Sequence, residues 1–339
     1  MPVFTKPTDL DDDVLIDALR SRWALDVVTL EYRAVGFGSH HWLATDAGGR
    51  RRFLTVDDLD MSRTATLEGT NDATCERLRR AYRTAHALRH EAGLLFVVAP
   101  LPGLDGDVLV RLDDRYSLIV QPEVEGTPAG GEEFDAPADR LRVVELVARL
   151  HAATVVAMPH GGREVGFLPG HDELRLDLER VARPWTAGPY GEQARVLLAE
   201  HASAVERLLD RCVSSADLVR DPDTMVITHG EPSAWNTMVT AGGLVLVDWE
   251  SALLAPPERD IWDLDAGDGS VVAAYEALTG TAIVPERIDW YRLWYDLFEI
   301  AGYIDLFRHE HADTADAAES WKNLVHFLRP AERWPKLVS

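Results

Sequence analysis

The rhythm of apolar and polar positions changes about a third of the way along the chain. Before residue 123 apolar residues come in short runs: Leu30–Val35, His41–Thr45, Arg52–Val56, Leu94–Pro100, Val108–Leu112 and Ser117–Gln121. Each run is strand-sized. Turn formers separate several of them, among them Asp46-Ala47-Gly48-Gly49, Pro102-Gly103 and Asp105-Gly106. Ala73–His90, rich in arginine, reads instead as a helix. The pattern predicts a small antiparallel sheet with one helix.

Beyond it the period lengthens. Glu123–Pro137, with Gly126, Pro128, Gly130 and Gly131, reads as a hinge. Asp139–Thr154 then sets Leu141, Val144, Leu146, Val147 and Leu150 largely along one helical stripe. Glu192–Val213, Ile288–Arg308 and Thr314–Leu328 are further helices, and two strands, Thr224–Thr228 and Leu244–Val247, flank a polar loop. The expected class is α+β in two lobes: residues 1–122, a hinge at 123–137, and a helical part at 138–339. At roughly 150 residues per domain, 339 residues fit two domains or one domain in two lobes.

Composition narrows the function. The chain is 46% hydrophobic and 27% charged, enough for a real core, which excludes long disorder and fibrous repeats. Met1 to Asp13 is too polar and acidic for a signal peptide, and no apolar run approaches the ~20 residues of a membrane span. Cys75 and Cys212 make neither a disulfide framework nor a four-thiolate zinc site, so a reducing cytoplasm is the expected location. A net charge of −23 disfavours nucleic acid and anionic lipid as partners and favours cations, including polycationic small molecules. The basic side is lopsided: 31 arginines against Lys6, Lys322 and Lys336.

The richest segment runs from Thr228-His229-Gly230-Glu231 through Trp235-Asn236 to Val247-Asp248-Trp249-Glu250. Glu231 stands five residues before Asn236, and Asp248 follows the apolar strand. Phosphoryl transfer needs a carboxylate to orient an attacking hydroxyl and accept its proton, with oxygen ligands for Mg²⁺. A hairpin between the two strands would bring the three side chains together. An ordinary polar hairpin, with Asp and Asn serving turn backbone, uses the same residues. No Gly-x-Ser-x-Gly elbow supports a serine hydrolase, and His309 with His311 lacks a third metal ligand nearby.

His229-Gly230-Glu231-x-x-x-x-Asn236, Val247-Asp248-Trp249-Glu250 and Leu253-Leu254-Ala255-Pro256-Pro257-Glu258-Arg259-Asp260 resemble the aminoglycoside phosphotransferase family, most of all its spectinomycin-kinase-like branch. Leu150-His151-Ala152 and Tyr291–Ile300 extend the likeness, which is strong from about 141 to 330 and weak before 125. The resemblance implies a bilobal, protein-kinase-like fold and an ATP- or GTP-dependent, Mg²⁺-dependent transfer. Glu231 would act as base, and Asn236 and Asp248 would hold Mg²⁺. Asp260 would buttress the catalytic loop, with His229 filling space beneath it. Glu123 and Val124 would meet adenine, while Gly36, Gly38 and Thr55 occupy the remaining nucleotide positions.

Three residues depart from the family. Glu231 replaces an aspartate, lengthening the side chain by a methylene. Trp235 replaces a small residue and either packs under the loop or faces the acceptor. Thr55 stands where kinase-like folds carry a third-strand lysine that grips the α- and β-phosphates, and no lysine lies between Lys6 and Lys322. Arg77, Arg79, Arg80 and Arg83 on the following helix are candidate substitutes if one turns inward; otherwise they form a solvated face. A lone Gly36-x-Gly38 fits a hairpin turn as well as a phosphate cover.

On the acceptor side, Asp296, Glu299 and Tyr303 fall at i, i+3 and i+7 of one helix. With Trp235 and Glu250 they are the expected acceptor contacts, or else the solvent face of an amphipathic helix. The sequence thus predicts an O-phosphotransferase for a small hydroxylated cation such as an aminoglycoside or aminocyclitol, as monomer or homodimer. The alternatives are a kinase of a cellular sugar, nucleoside or amino alcohol, and an inactive kinase-like binding protein.

Overall fold

A computed structural model describes residues 3–61, 66–131 and 133–338; Met1 and Pro2 of the N-terminal stretch and Glu132 of the expected hinge lie outside them. The chain begins with helix α1 (Asp12–Trp23), followed by strands β1 (Val27–Arg33), β2 (Ser39–Asp46) and β3 (Arg51–Asp58). Helix α2 (Asn71–His90), β4 (Val110–Arg111) and β5 (Tyr116–Pro122) complete the sheet lobe. The five strands pair antiparallel in the order β1-β2-β3-β5-β4.

Alternation along the strands sorts this lobe into two layers. Leu54, Val56, Leu118 and Val120 face the core that also holds Leu15, Leu19 and Trp23 of α1. Ile119 packs on the opposite side with Cys75, Leu78 and Tyr82 of α2. Thr55 and Asp57, out of step with Leu54 and Val56, fall on the α2 side. Helix α1 escapes a sequence reading because only Leu15, Leu19 and Trp23 are buried in a short segment that also carries Asp12, Asp13, Asp17, Arg20 and Arg22.

Two expected strands dissolve. In Leu94–Pro100 only Val97 makes an isolated bridge, to Leu246, and in Val108–Leu112 only Val110 and Arg111 pair. The first segment is apolar because Leu94, Phe96, Val97 and Ala99 are buried against the second lobe, not because they belong to a sheet.

That lobe contains β6 (Thr127–Pro128), α3 (Pro137–Ala152), β7 (Gly162–Arg163), α4 (His171–Arg180) and α5 (Gly191–Ser214). It continues through β8 (Val226–Thr228), β9 (Thr237–Thr240), β10 (Gly243–Leu246) and β11 (Leu253–Ala255). Helices α6 (Glu258–Leu264), α7 (Ser270–Thr279), α8 (Pro285–Arg308) and α9 (Ala315–Phe327) follow. Among the described residues no helix is long and apolar enough to cross a membrane. Both cysteines are buried and free.

The expected hairpin between 224–228 and 244–247 is replaced by a different one. Residues 237–240 are themselves a strand, so β9 and β10 form the hairpin, with Gly243 opposite Thr240. β8 pairs antiparallel with β11 instead. The polar loop therefore leaves one sheet and enters another, and the helix after β11 lies directly beneath it.

Candidate active site

The loop from His229 to Asn236 is held from below by one carboxylate. Asp260, in the first turn of α6, is fully buried. Its Oδ2 accepts from His229 N at 3.0 Å, and its Oδ1 accepts from Gly230 N at 2.6 Å. His151 at the end of α3 donates through Nε2 to Oδ2 at 3.0 Å, while its Nδ1 shares a 2.7 Å hydrogen bond with the Tyr275 hydroxyl. Burial alone would raise the Asp260 carboxyl, but the His151 hydrogen bond and charge, with the loop amides, hold it below its ordinary value.

His229 fixes the next level. Its Nε2 donates to the Val247 carbonyl at 2.8 Å, its Nδ1 accepts from Glu231 N at 3.3 Å, and its ring meets Trp249 edge-on at 4.5 Å. Burial lowers its pKa, which keeps the ring neutral and both bonds in this sense. Gly230 adopts φ +103°, and a β-carbon there would lie 2.5 Å from Nη1 of Arg259.

The Asn236 side chain spans the loop. Its Nδ2 donates to the Glu231 carbonyl at 3.0 Å, and the Asn236 backbone carbonyl accepts from Val247 N at 2.9 Å. The amide nitrogen being committed, Oδ1 is the end free to accept a cation. Asp248 follows at φ +63°, a left-handed backbone rare outside glycine. Solvent reaches this side chain although protein surrounds it; desolvation, then Glu250 and Asp57, raise its carboxyl to about 8.

Glu231 receives the Tyr295 hydroxyl on Oε1 at 3.4 Å. Desolvation pushes its carboxyl well above the usual range, and the charges of Asp263, Asp248, Glu299 and Glu250 push it further. Glu231 and Asn236 are thus joined by a hydrogen bond, and Asp248 directly follows the residue whose amide donates to the Asn236 backbone. Among the described residues no three His, Cys, Asp or Glu side chains form a metal cage. The donors at hand are one carboxylate and one amide oxygen, which suits Mg²⁺, an ion that keeps waters and takes the rest of its shell from phosphates.

The other expected residues divide. Gly36 and Gly38 both sit at φ +84° in the β1–β2 connection. Thr55 is buried on β3, and Glu123, at the end of β5, pairs with Arg51 at 2.8 Å. Val124 follows directly. Trp235, where packing under the loop was one expectation, is 57% exposed with its indole over Gly131. Glu250 offers its carbonyl to Arg77 at 3.0 Å.

The acidic stripe on α8 needs correction. Asp296 is buried, and its two oxygens are taken by Arg333 (2.7 and 2.5 Å) and by the Trp334 indole N–H at 2.7 Å. A second chain segment, absent from any reading of the helix alone, thus neutralises it. Tyr303 is also buried, accepting from Asn323 at 3.1 Å. Glu299 remains part of the acidic surroundings of Glu231. Sequence reasoning missed Tyr295, one turn before Glu299, and Asp263, whose Oδ2 is buried without a partner and whose carboxyl burial pushes up to about 6. It also missed Asp57. This buried residue takes hydrogen bonds from Ser39 (2.8 Å), Ser117 (3.3 Å) and Tyr82 (3.3 Å). The only signal for it was an acid two residues past Thr55, directly after the apolar Val56.

Residues 30–294 match the model of the phosphotransferase enzyme family. Protein StrN of Streptomyces griseus is 31% identical over 268 residues, covering 71% of this chain and 74% of StrN. Among solved structures, a spectinomycin phosphotransferase in complex with ADP and spectinomycin superposes with a TM-score of 0.72 at 15% identity, over 97% of this chain and 100% of that one. Choline kinase LicA from Streptococcus pneumoniae gives 0.55 at 14% identity, over 94% and 98%. At such identities the likeness establishes the fold, which is bilobal and kinase-like.

Proposed function

The chain belongs to the phosphotransferase enzyme family and is a small-molecule kinase with a hydroxyl acceptor, and from that premise we propose that it transfers the γ-phosphoryl group of ATP to a hydroxyl of a small cationic molecule such as an aminoglycoside or aminocyclitol. Residues 1–122 form the nucleotide lobe, 123–137 the hinge whose Glu123 and Val124 backbone meets the base, and 138–339 the acceptor lobe. Asn236 through Oδ1 and Asp248 through its carboxylate hold Mg²⁺. When bound, that ion supplies positive charge against the phosphate oxygens and the crowded carboxylates.

Glu231 orients the acceptor hydroxyl and takes its proton as the acceptor oxygen bonds to the γ-phosphorus and the bond from that phosphorus to the β-phosphate oxygen breaks. Burial and the acids crowded around it raise its proton affinity, and a cationic acceptor beside it would favour the carboxylate form that takes the hydroxyl proton. The single observation that carries the reading is the Asn236 bridge, which locks the Glu231 backbone to the strand end presenting Asp248. A cationic acceptor follows from the acids around Glu231, namely Asp263, Glu299 and Glu250. Trp235, exposed four residues past Glu231 on the same loop, offers a ring face to a sugar or an ammonium.

The test is direct. Purified protein with ATP, Mg²⁺ and a panel of aminoglycosides, aminocyclitols, sugars, nucleosides and amino alcohols is followed for ADP release and for an acceptor heavier by one phosphoryl group. An aminocyclitol or aminoglycoside product is expected. A sugar or nucleoside product alone overturns the acceptor class, and nucleotide binding without any product overturns the catalytic reading.

A further inference from the structure

Deepening that reading, the structure supplies a cation for the nucleotide phosphates that β3 does not. The strand presents Thr55 and then Asp57 toward α2, so its contribution at this point is an acid. A triphosphate whose α- and β-oxygens met only Asp57, Asp248 and Glu250 would be repelled.

Helix α2 carries four arginines close together, and three are occupied. Arg79 pairs with Glu76 at 2.9 Å and Asp107 at 3.1 Å, Arg80 with Glu76 at 3.4 Å, and Arg83 with Asp107 at 3.2 Å. Arg77 makes no ion pair among the described residues. Its Nη1 donates to the Glu250 backbone carbonyl at 3.0 Å, and its Nε is buried with no partner. Helical spacing explains the direction. Arg77 continues the face of Ala81, Ala85 and Leu88, which packs on the core around Leu246 and Trp249. The side chain is therefore delivered to the Glu250 backbone carbonyl, two residues past Asp248, on the side of β3 that carries Asp57.

We propose that Arg77 takes the place of the third-strand lysine, its guanidinium held on the Glu250 carbonyl and gripping the α- and β-phosphate oxygens, with Asp57 the acid that β3 turns toward the same helix. Kinase-like folds set a strand lysine against a helix glutamate; here the strand carries the acid and the helix the base. A guanidinium is suited to the exchange. It offers five N–H donors in a planar fork, of which the structure commits one to the Glu250 carbonyl, and it engages phosphate through two at once. Asp57 is itself fixed by Ser39, Ser117 and Tyr82 and makes no ion pair with Arg77, which leaves the guanidinium free for phosphate.

Arg77→Gln keeps a donor for the Glu250 carbonyl but removes the charge. It is expected to weaken ADP binding, read by calorimetry, and to raise the KM for ATP about 10- to 100-fold. Adenosine affinity and acceptor KM should stay within about twofold. Arg77→Lys should recover part of the loss, and Arg80→Ala, on the outer face, should change neither. Asp57→Asn should raise the KM for ATP less than Arg77→Gln does. An Arg77→Gln enzyme with wild-type ADP affinity, or one losing adenosine and ADP alike, overturns the assignment. Wild-type protein that binds no nucleotide overturns the catalytic reading itself, an outcome separate from any behaviour of the variant.

Discussion

His151 and Asp260 meet at 3.0 Å across 109 residues of sequence, and their contact joins the end of α3 to the floor of the catalytic loop. Three donors converge on one carboxylate there, so an amide cannot replace it. In Asp260→Asn one of the two side-chain ends becomes a donor and faces His229 N, Gly230 N or His151 Nε2. Leaving a buried donor unmatched costs about 1–3 kcal/mol. Asp260→Asn is expected to lose roughly that much in urea unfolding and to lower kcat, because the Glu231 backbone is no longer held. His151→Phe, which removes one donor but leaves both loop bonds, should cost less than Asp260→Asn in both measurements.

Gly230 sets a second mechanical constraint. At φ +103° an alanine is strained, and its β-carbon would fall within 2.7 Å of three Arg259 guanidinium atoms. Arg259 also donates to Thr228 Oγ1 at 2.9 Å, so pushing it aside breaks a buried bond on β8. Gly230→Ala should destabilise by about 2 kcal/mol or more, the left-handed strain supplying about 1–2 of that. A variant with unchanged melting temperature and kcat would show that the loop reshapes freely.

Stability should fall as pH rises between about 6.5 and 8 when no divalent cation is present. Asp57 is pushed up to about 7 and Asp248 to about 8, in each case by desolvation first and Glu250 next, and Glu231 is raised well above its ordinary value. A carboxyl with a raised folded-state pKa keeps a proton that the unfolded chain has released. The folded state therefore binds more protons, and the slope of stability with pH is negative. Below about 6.5 buried histidines oppose this: His41 is held down at about 4, chiefly by desolvation, so acid destabilises it. Urea midpoints at pH 6.5, 7.2 and 8.0 check the sign. Asp57→Asn should flatten the decline, and Mg²⁺ should stabilise more at pH 8.0 than at 6.5. A midpoint that climbs across this interval contradicts the crowded-acid picture.

What could be read from the sequence was what is local. The candidate segment stood out because Glu231 and Asn236 sit within one loop and Asp248 just past the hairpin that follows it, and the stripe of α3 because its apolar positions repeat at helical spacing. Contacts between distant segments stayed hidden. Arg77 reaches a carbonyl 173 residues away, and nothing in its helix distinguishes it from Arg80 until that face is packed. Asp296 looked available for the same reason, since its partners Arg333 and Trp334 lie beyond the next helix. Leu94–Pro100 was misread as a strand because a buried irregular segment and a sheet strand have the same apolar composition.

Glu231 should show function and stability moving in opposite directions. Glu231→Gln keeps an acceptor oxygen for the Tyr295 hydroxyl but cannot take a proton. A positioned base is worth about 10²–10⁴ in rate, so kcat should fall by that order while ADP affinity is kept. The same change removes one of several mutually repelling carboxylates, since Asp263, Asp248, Glu299 and Glu250 all act on Glu231. Glu231→Gln should therefore gain in urea midpoint over wild type, and gain more at pH 8 than at pH 6.5, because the raised carboxyl costs the folded state more as pH rises. Glu231→Asp separates reach from charge. Shortened by one methylene, it withdraws from a Tyr295 contact already 3.4 Å long and from the acceptor oxygen. Misplacement of about 1 Å can cost about 10² in rate, so Glu231→Asp should lose up to that factor and gain no stability. Steady-state kcat with urea midpoints at both pH values distinguishes the three proteins, and a Glu231→Gln enzyme with wild-type kcat would remove Glu231 from the proton path.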